Sequence, residues 1–236
     1  YENKNTLFEN YLSYNKTFGK HNINAIAGYS WQQTLNGDGF QANNTNFPTN
    51  DTQANFLGLG NAQAVSGFVV DYGGNNYSKL RLISDYARLN YSYAGKYFVQ
   101  SSLRRDGSSA FGANNRWGYF PSVSAAWGID GEDFMKNQNI FSELKLRVSY
   151  GQTGNSLGFN PLVSLLRYGN VGTFLVNGVT LSAIGVVQNP NPDLRWEKTA
   201  MSNIGLDFGI LKSKVTGTLD LYNKRTTDLI WTYDVD

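Results

Sequence analysis

Few residues of the sequence combine types and spacing that could perform chemistry. Gly154, Ser156 and Gly158 fit the G-x-S-x-G pattern of a nucleophile elbow, in which a strand–turn–helix exposes a serine and a downstream histidine activates it. The single histidine, His21, lies far upstream, and the residues around Ser156 are typical of a polar, glycine-rich loop. We therefore interpret the match as a coincidence and predict no catalytic residue and no enzymatic activity.

The sequence lacks the residue types that metal and cofactor sites need. One histidine and no cysteine exclude histidine–cysteine metal clusters, disulfides and thiol nucleophiles. Gly58-Leu59-Gly60 does not extend into a phosphate-binding fingerprint. The neighbouring carboxylates Glu132 and Asp133 lie in a predicted turn, where solvation by water is the default. The sequence predicts neither a metal site nor a cofactor.

The composition is typical of alternating strands with polar loops. Charged residues make up only 16% of the 236 residues, against about 25% in an average protein, whereas 14% are aromatic and 25 are glycine. The net charge of +2 is too small to indicate nucleic-acid binding. The sequence contains no run of 18 apolar residues and therefore predicts no transmembrane helix. Transmembrane β-strands are not excluded, because they carry a much weaker hydropathy signal.

A period of two in hydrophobicity predicts the main elements. Leu144, Leu146 and Val148, for example, alternate with Lys145 and Arg147. Such alternation indicates strands with one apolar and one polar face. The segments that show it are 7–17, 21–32, 86–93, 97–104, 117–127, 144–151, 199–208 and 215–226. Most of these eight strands approach the 9–11 residues that a tilted strand needs to cross a bilayer.

The connections between these strands are short on one side and long on the other. Gly19-Lys20, the segment 94–96 and the segment 209–213 predict tight turns. The alternate connections, 34–85, 106–116 and 153–198, are longer, and Asp106-Gly107 predicts the beginning of a turn. The connection 128–142 breaks the pattern, and its residues 132–135 are compatible with a helical turn. Short turns opposite long loops are typical of outer-membrane barrels, whose long loops are extracellular. We predict an all-β, antiparallel transmembrane β-barrel segment.

Aromatic residues concentrate at both ends of the predicted strands. Phe18, Tyr93, Tyr97, Trp127 and Phe208 lie near the short turns, and Trp31, Trp117 and Tyr119 lie near the long loops. Two aromatic girdles at the lipid–water interfaces are expected of such barrels. The alternative interpretation is that aromatic residues simply favour strands.

Three stretches of the sequence resemble one family. They are Arg105-Asp106-Gly107-Ser108-Ser109-Ala110-Phe111-Gly112 with Asn115 to Ser122, Leu144 to Asn155, and Asn189 to Leu194 with Trp196-Glu197-Lys198-Thr199 and Asn203 to Phe208. Together they resemble the RDGSS-x-FG…NRWG-x-FPS, LKLR-x-SYG-x-TGN and NP-x-L-x-WEKT stretches of SusC/RagA-type TonB-linked outer-membrane receptors. The resemblance covers most of residues 80–230, and residues before 80 match more loosely.

The resemblance implies a larger parent protein. Its barrel would have about 22 strands around a plug, so we expect residues 1–236 to be part of the barrel domain without the plug. The parent would import a bulky nutrient, an oligosaccharide or a peptide, across the bacterial outer membrane. The TonB complex would supply the energy through other parts of the parent, and a SusD-like surface lipoprotein would capture the substrate.

Two sets of side chains are candidates for contact with substrate or partner. If the alternation is interpreted correctly, one set faces the lumen, namely Arg88, Asn90, Gln100, Arg104, Lys145 and Arg147. The other set consists of aromatic residues in the long loops, namely Tyr72, Tyr77, Phe159, Tyr168 and Phe174. Aromatic rings there could stack on sugar rings or pack against other loops or the lipoprotein.

Two alternatives from other classes remain open on the sequence alone. A complete eight-stranded structural or adhesive barrel requires its first and last strands to pair. A soluble carbohydrate-binding module requires burial of the apolar face marked by Leu89, Val99 and Leu146. The one-sided loops and the resemblance favour the importer barrel.

Overall fold

Strands make up nearly all of the computed structural model, which describes residues 2–38, 78–156 and 161–231. The strands are β1 (Glu2–Phe18), β2 (His21–Asp38), β3 (Ser78–Tyr93), β4 (Tyr97–Ser108), β5 (Trp117–Gly128), β6 (Phe141–Asn155), β7 (Arg167–Val176), β8 (Val179–Gln188), β9 (Glu197–Ile210) and β10 (Val215–Thr227). Two 3-10 helices, Ile129–Gly131 and Asp133–Met135, lie between β5 and β6 and confirm the predicted helical turn. Within the described ranges, no helix has the length and hydropathy to cross a membrane.

Eight strands are hydrogen-bonded in the order β1-β2-β3-β4-β5-β6-β9-β10, and β7 and β8 form a separate two-stranded sheet. All eight predicted strands are present. The chain forms two compact units, residues 1–6 with 32–80 and residues 7–31 with 81–236. In the first unit the side chains of Gln32 and Thr34 donate to Asn5 at 3.2 and 3.3 Å. The second unit contains the greater part of the sheet.

The antiparallel register keeps polar and apolar side chains on opposite faces of the sheet in the second unit. Directly paired residues share a face, and neighbours along a strand point to opposite faces. One continuous row across six strands is polar and contains Asn90, Gln100, Ser124, Ser149, Asn203 and Tyr222. The adjacent row is predominantly apolar and contains Tyr91, Val99, Ala125, Val148, Ile204 and Leu221.

The apolar face is open to its surroundings. Leu89, Val99 and Leu146 are 48%, 45% and 37% exposed, and no second layer covers them in the part of the chain that is described. A soluble module would have to bury these side chains, because a broad exposed apolar surface marks a lipid or protein contact. The strands β1 and β10 end the hydrogen-bonded order without pairing with each other. The structure therefore fits neither the closed eight-stranded barrel nor the soluble module.

The tight turns and one long connection can be compared directly with their predictions. Gly19 and Gly95 adopt positive φ values of 59° and 69° in the two turns where glycine was expected. Asp106 and Gly107, by contrast, do not begin a turn, because both pair with β5 and continue β4. The connection 153–198 was predicted as a loop, but it contains the β7–β8 hairpin.

A small aromatic core lies at the long-loop end of the sheet. Phe111, Phe120 and Trp196 are almost fully buried, with the Trp196 ring centroid 4.5 Å from that of Phe111 and 5.4 Å from that of Phe120. Trp196 Nε1 donates to the carbonyl oxygen of Arg116 at 3.1 Å. We call these three rings the aromatic knot. It joins the segment after β4, strand β5 and the segment before β9.

Backbone contacts hold the same two segments together beside the aromatic knot. The N–H of Gly112 donates to Leu194 at 3.0 Å, and the Asn114 side chain donates to Asp193 at 2.8 Å. A Cβ atom on Gly112 would lie 2.1 Å from the carbonyl oxygen of Pro192. Only glycine allows this approach, because the obstructing atom belongs to the backbone.

Replacement of Gly112 by alanine should therefore separate the two segments. Overpacking of this kind costs about 1–3 kcal/mol, so we expect the Gly112→Ala variant to unfold at lower denaturant and to be cleaved faster by protease in its long loops. The control is Ala113→Val at the adjacent, exposed position. Equal protease resistance of the two variants would contradict the proposed close packing.

Candidate functional site

The strongest charge cluster of the polar face joins β6, β9 and β10. Arg147 forms a bidentate ion pair with Asp207, with Nε–Oδ2 and Nη2–Oδ1 distances of 2.7 and 2.9 Å. Its Nη2 also approaches Asp220 Oδ1 at 3.3 Å, and Thr218 donates to Asp207 at 3.0 Å. Gly205 leaves room for this contact, because a Cβ there would lie 2.6 Å from Asp220 Oδ1. Arg147 is thus held in place, and two carboxylates compensate its charge.

Further hydrogen bonds tie polar side chains together across the same face. Asn90 donates to Asn24 at 3.0 Å, and the hydroxyls of Ser102 and Ser122 are 2.7 Å apart. Arg104 pairs with Asp106 on its own strand at 2.8 Å and donates to the hydroxyl of Ser84 in β3 at 3.0 Å. In these bonds the charge of Arg104 is paired with that of Asp106, and the other groups are hydroxyls and amides.

A cleft of about 890 Å³ lies along this face. Its polar lining includes Asn22, Asn90, Gln100, Ser122, Ser124, Arg147, Ser149, Thr153, Thr199, Asn203 and Lys224. Apart from Arg147 and Lys224, these side chains are neutral donors and acceptors, which can hydrogen-bond an uncharged polar surface without demanding a particular ionic partner. The lining contains no nucleophile–base arrangement that resembles a hydrolytic site.

The structure divides the six predicted lumen-facing residues into two neighbouring groups. Asn90, Gln100 and Arg147 line the cleft of about 890 Å³, and Lys145 Nζ lies 4.9 Å from the ring centroid of Phe98 at its edge. The other two predicted residues, Arg88 and Arg104, line a separate hollow of about 450 Å³ together with Tyr86 and Ser102. The sheet thus brings all six close to concave surfaces.

Only two of the five predicted loop aromatics, Tyr168 and Phe174, lie among the described residues. Tyr72, Tyr77 and Phe159 lie outside the described residues. Tyr168 and Phe174 are exposed, but they belong to β7 and not to an irregular loop. In the β7–β8 hairpin one face contains Phe174, Val176, Val179 and Leu181, whereas the opposite face contains Thr173, Leu175, Thr180 and Ser182.

Sequence reasoning missed this hairpin although a signal for it exists. Asn177-Gly178 forms the turn with φ values of 49° and 80°, and an Asn-Gly pair between β-branched residues is the strongest short hairpin signal. Val176 and Val179 flank the pair. Large apolar residues occur on both faces of the hairpin, so the segment has no clean period of two and alternation does not predict it.

At the short-turn end, the apolar face is bordered by aromatic rings. Phe18 stacks on His21 with a distance of 5.1 Å between the ring centroids, and the His21 centroid lies 4.9 Å from that of Tyr93. His21 Nδ1 and the Tyr91 hydroxyl share a hydrogen bond of 2.8 Å. Tyr93 and Tyr97 stack with a centroid distance of 6.3 Å. Amphipathic rings in this position suit the interface between lipid and water.

Glu132 anchors the connection between β5 and β6 to this aromatic border. Its carboxylate accepts hydrogen bonds from Tyr97 Oη at 2.5 Å, Trp127 Nε1 at 3.0 Å and Lys96 Nζ at 3.1 Å. These donors, first that of Tyr97, hold the pKa of the Glu132 carboxyl below its ordinary value. The charged form of Glu132 therefore fixes the helical turn against the sheet.

This contact predicts a pH dependence. Because the folded-state pKa of Glu132 is depressed, its stabilising contribution is complete above the unfolded pKa and is lost as the pH falls through the folded pKa. We expect Glu132→Gln to lower the unfolding midpoint at neutral pH, with the difference from the unmodified protein shrinking in the acid range. Denaturant titrations of both proteins at several pH values measure this. A difference that is the same at every pH would show that the charge of Glu132 has no role.

Among the residues that the structure describes, no group of three or more His, Asp or Glu side chains is arranged to hold a metal ion. The first residues of the G-x-S-x-G match, Gly154 and Asn155, pair with β9 at the end of β6. They continue a strand, whereas a nucleophile elbow requires a turn into a helix.

Comparison with known proteins agrees with the geometry. The family described as TonB dependent receptor-like, beta-barrel, matches residues 1–236. TonB-dependent receptor P3 of Formosa agariphila is 36% identical over 231 residues, which cover 96% of this chain and 22% of the relative. TonB-dependent receptor SusC of Bacteroides thetaiotaomicron is 40% identical over 151 residues, or 63% of this chain and 15% of the relative. The matched part of the chain thus spans about a fifth of the length of the first relative and about a seventh of that of the second.

Solved structures give the same architecture. The RagAB peptide transporter matches with a TM-score of 0.81 and 25% identity, over 99% of this chain and 25% of that chain. The siderophore receptor PirA from Acinetobacter baumannii matches with a TM-score of 0.51 and 14% identity, over 95% of this chain, and this similarity concerns the fold alone.

Proposed function

The chain belongs to the TonB dependent receptor-like β-barrel family, and from this membership we propose that it forms wall and loops of an outer-membrane importer of bulky nutrients. The substrate is an oligosaccharide or a peptide, and the TonB complex supplies energy through other parts of the receptor. The plug belongs to those other parts. The proposal rests on the RagAB and SusC similarities together with the two-faced sheet.

The observation that carries the proposal is the separation of the two faces of the sheet. An exposed apolar face with Val99, Val148 and Ile204 suits lipid, and the opposite polar face with its cleft suits an aqueous lumen. In this arrangement Arg88, Asn90, Gln100, Arg104, Lys145 and Arg147 face the lumen. Most polar side chains that line the cleft are neutral hydroxyl and amide groups, which suits passage of polar substrates that should not be bound too tightly.

The β7–β8 hairpin is the proposed contact for a SusD-like surface lipoprotein. It lies in the longest described connection between strands of the main sheet, on the side that is extracellular in this orientation. Phe174 is 50% exposed and shares its face with Val176, Val179 and Leu181. Such an apolar face in water favours a protein partner.

Uptake by cells tests the proposed function. Cells that lack the complete receptor should fail to take up labelled oligosaccharides or labelled peptides that the parent strain imports, and cells without TonB should show the same defect. The two substrate arms distinguish glycan from peptide import. Unchanged uptake of both classes in the receptor-deficient cells would contradict the proposal.

Co-purification tests the proposed partner contact. Phe174→Asp places a charge in the apolar face of the hairpin and should reduce recovery of the lipoprotein with the receptor. Thr173→Asp adds the same charge on the opposite face of the hairpin and serves as the control. Equal recovery of the lipoprotein with both variants would show that the hairpin is not part of the interface. That result would not affect the proposed import function.

A further inference from the structure

The hollow of about 450 Å³ on the polar face differs in chemistry from the larger cleft. Its polar and aromatic lining consists of Tyr11, Tyr86, Arg88, Ser102 and Arg104. Tyr86 pairs in register with Arg104, and Arg88 pairs with Ser102. Directly paired residues share a face, as do residues two apart on one strand. The hollow thus brings two arginines and two tyrosines together, all within the second compact unit.

One of the two arginines is held by groups of the wall itself. Arg104 Nε lies 2.8 and 2.9 Å from the two carboxylate oxygens of Asp106, and Arg104 Nη2 donates to the Ser84 hydroxyl at 3.0 Å. The side chain of Asp106 is only 14% exposed. Arg104 and Asp106 therefore compensate each other, and Arg104 shapes the hollow without supplying a net charge.

Arg88 supplies the uncompensated charge of the hollow. It is exposed, and among the residues that the structure describes its guanidinium forms neither an ion pair nor a hydrogen bond. Glu9, two residues before Tyr11 on β1, is also exposed and forms no ion pair with it. A guanidinium presents its donors in a planar fork that matches the two oxygens of a carboxylate. The fork of Arg88 is accessible from the polar face.

The two tyrosines provide a fixed surface beside this charge. The Tyr86 ring lies close against β2, because a Cβ atom on Gly28 would be 2.4 Å from Tyr86 Cζ. Tyr11 is 65% exposed. A tyrosine ring combines an apolar body with a hydroxyl group at its tip. The hollow therefore offers a cation together with surfaces for the carbon atoms of a polar ligand.

We propose that the hollow binds a carboxylate group of the imported substrate. Arg88 donates two parallel hydrogen bonds to the carboxylate oxygens, and Tyr11 and Tyr86 pack against the carbon atoms next to it. The carboxylate belongs to a uronic acid unit of an oligosaccharide or to an acidic residue of a peptide. This assignment rests on the proposed function, and it adds a negative charge to the substrate class.

Binding of two fluorescent probes to the complete receptor in detergent tests the site. The probes are an oligogalacturonate and a glutamate-rich peptide, each compared with its amidated form, in which neutral amides replace the carboxylates. The unmodified receptor should bind a charged probe at least about tenfold more tightly than its amide, as expected for a charge-assisted, bidentate contact. Arg88→Gln should abolish this preference. The matched control is Arg225→Gln, which removes the same charge from the opposite face, where Arg225 pairs with Ala200.

Each outcome decides for or against the site. A preference that Arg88→Gln alone abolishes supports it, and the probe that shows the preference identifies the carboxylate as that of a uronic acid or of an acidic residue. The absence of a preference in both arms, or a preference that both variants keep or both lose, overturns it. Uptake by cells separates this result from the proposed function: a receptor that imports oligosaccharides or peptides without preferring carboxylates keeps the import function and loses only the carboxylate site.

Discussion

Replacement of Trp196 by alanine should lower the free energy of unfolding of the receptor by about 3–5 kcal/mol, the usual cost of removing a large aromatic ring from a core. Trp196 is 4% exposed and contacts both other rings of the aromatic knot. The aromatic knot holds together the segments around Gly112 and Leu194. In the Trp196→Ala variant the amide hydrogens of these segments should therefore also exchange much faster. Denaturant titration and hydrogen exchange of the receptor in lipid measure the two effects.

Trp196→Phe is the control for this prediction. Phenylalanine keeps an aromatic ring in the knot but removes the hydrogen bond from Nε1 to the carbonyl of Arg116. The loss of one such bond costs about 1 kcal/mol. If Trp196→Ala cost no more than Trp196→Phe, the knot would not be the element that holds the long-loop end together.

Introduction of arginine on the apolar face should be almost as damaging. Val148 lies in the middle of β6, is 43% exposed and pairs with Ala125 and Ile204 in the apolar row. An arginine on the lipid face near the midplane of the bilayer costs about 2–4 kcal/mol. We therefore expect Val148→Arg to reduce assembly into the outer membrane and to lower the unfolding free energy in lipid by this amount.

The adjacent residue provides the matched control. Ser149 pairs with Ser124 and Asn203 on the polar face and lines the cleft. Ser149→Arg introduces the same side chain one residue away, where water is accessible, and should assemble normally. Equal assembly defects in the two variants would show that arginine is tolerated no better on one face than on the other.

The sequence alone predicts the strands and their faces but not the contacts between distant segments. Alternation such as that of Leu144 to Gly151 is a local property, so each of the eight strands of the main sheet could be located. The ends of the strands were less predictable. Asp106-Gly107 has turn chemistry, but pairing with Trp117 and Gly118 extends β4 through it. Cross-strand hydrogen bonds outweigh the local turn preference here.

Long-range partners depend on register, which no local pattern encodes. Arg147 meets Asp207 because β6 pairs with β9 across the connection that contains the β7–β8 hairpin. Phe111 meets Trp196 although 85 residues separate them in the sequence. The stretches that carry the family resemblance include both aromatic residues, and the structure explains their role there as packing of the wall. The lumen-facing assignment of the six polar residues stays a prediction.

Site-specific labelling in lipid tests the two-faced wall most directly. This chain contains no cysteine, so single cysteines at Val99 and Gln100 of the complete receptor, with any others removed, can carry a fluorophore. We predict that a quencher confined to the lipid chains quenches the label at position 99 and that a water-soluble quencher reaches the label at position 100. Quenching by the lipid-confined reagent at position 100 and not at position 99 would contradict the assignment of lipid to the apolar face and water to the polar face.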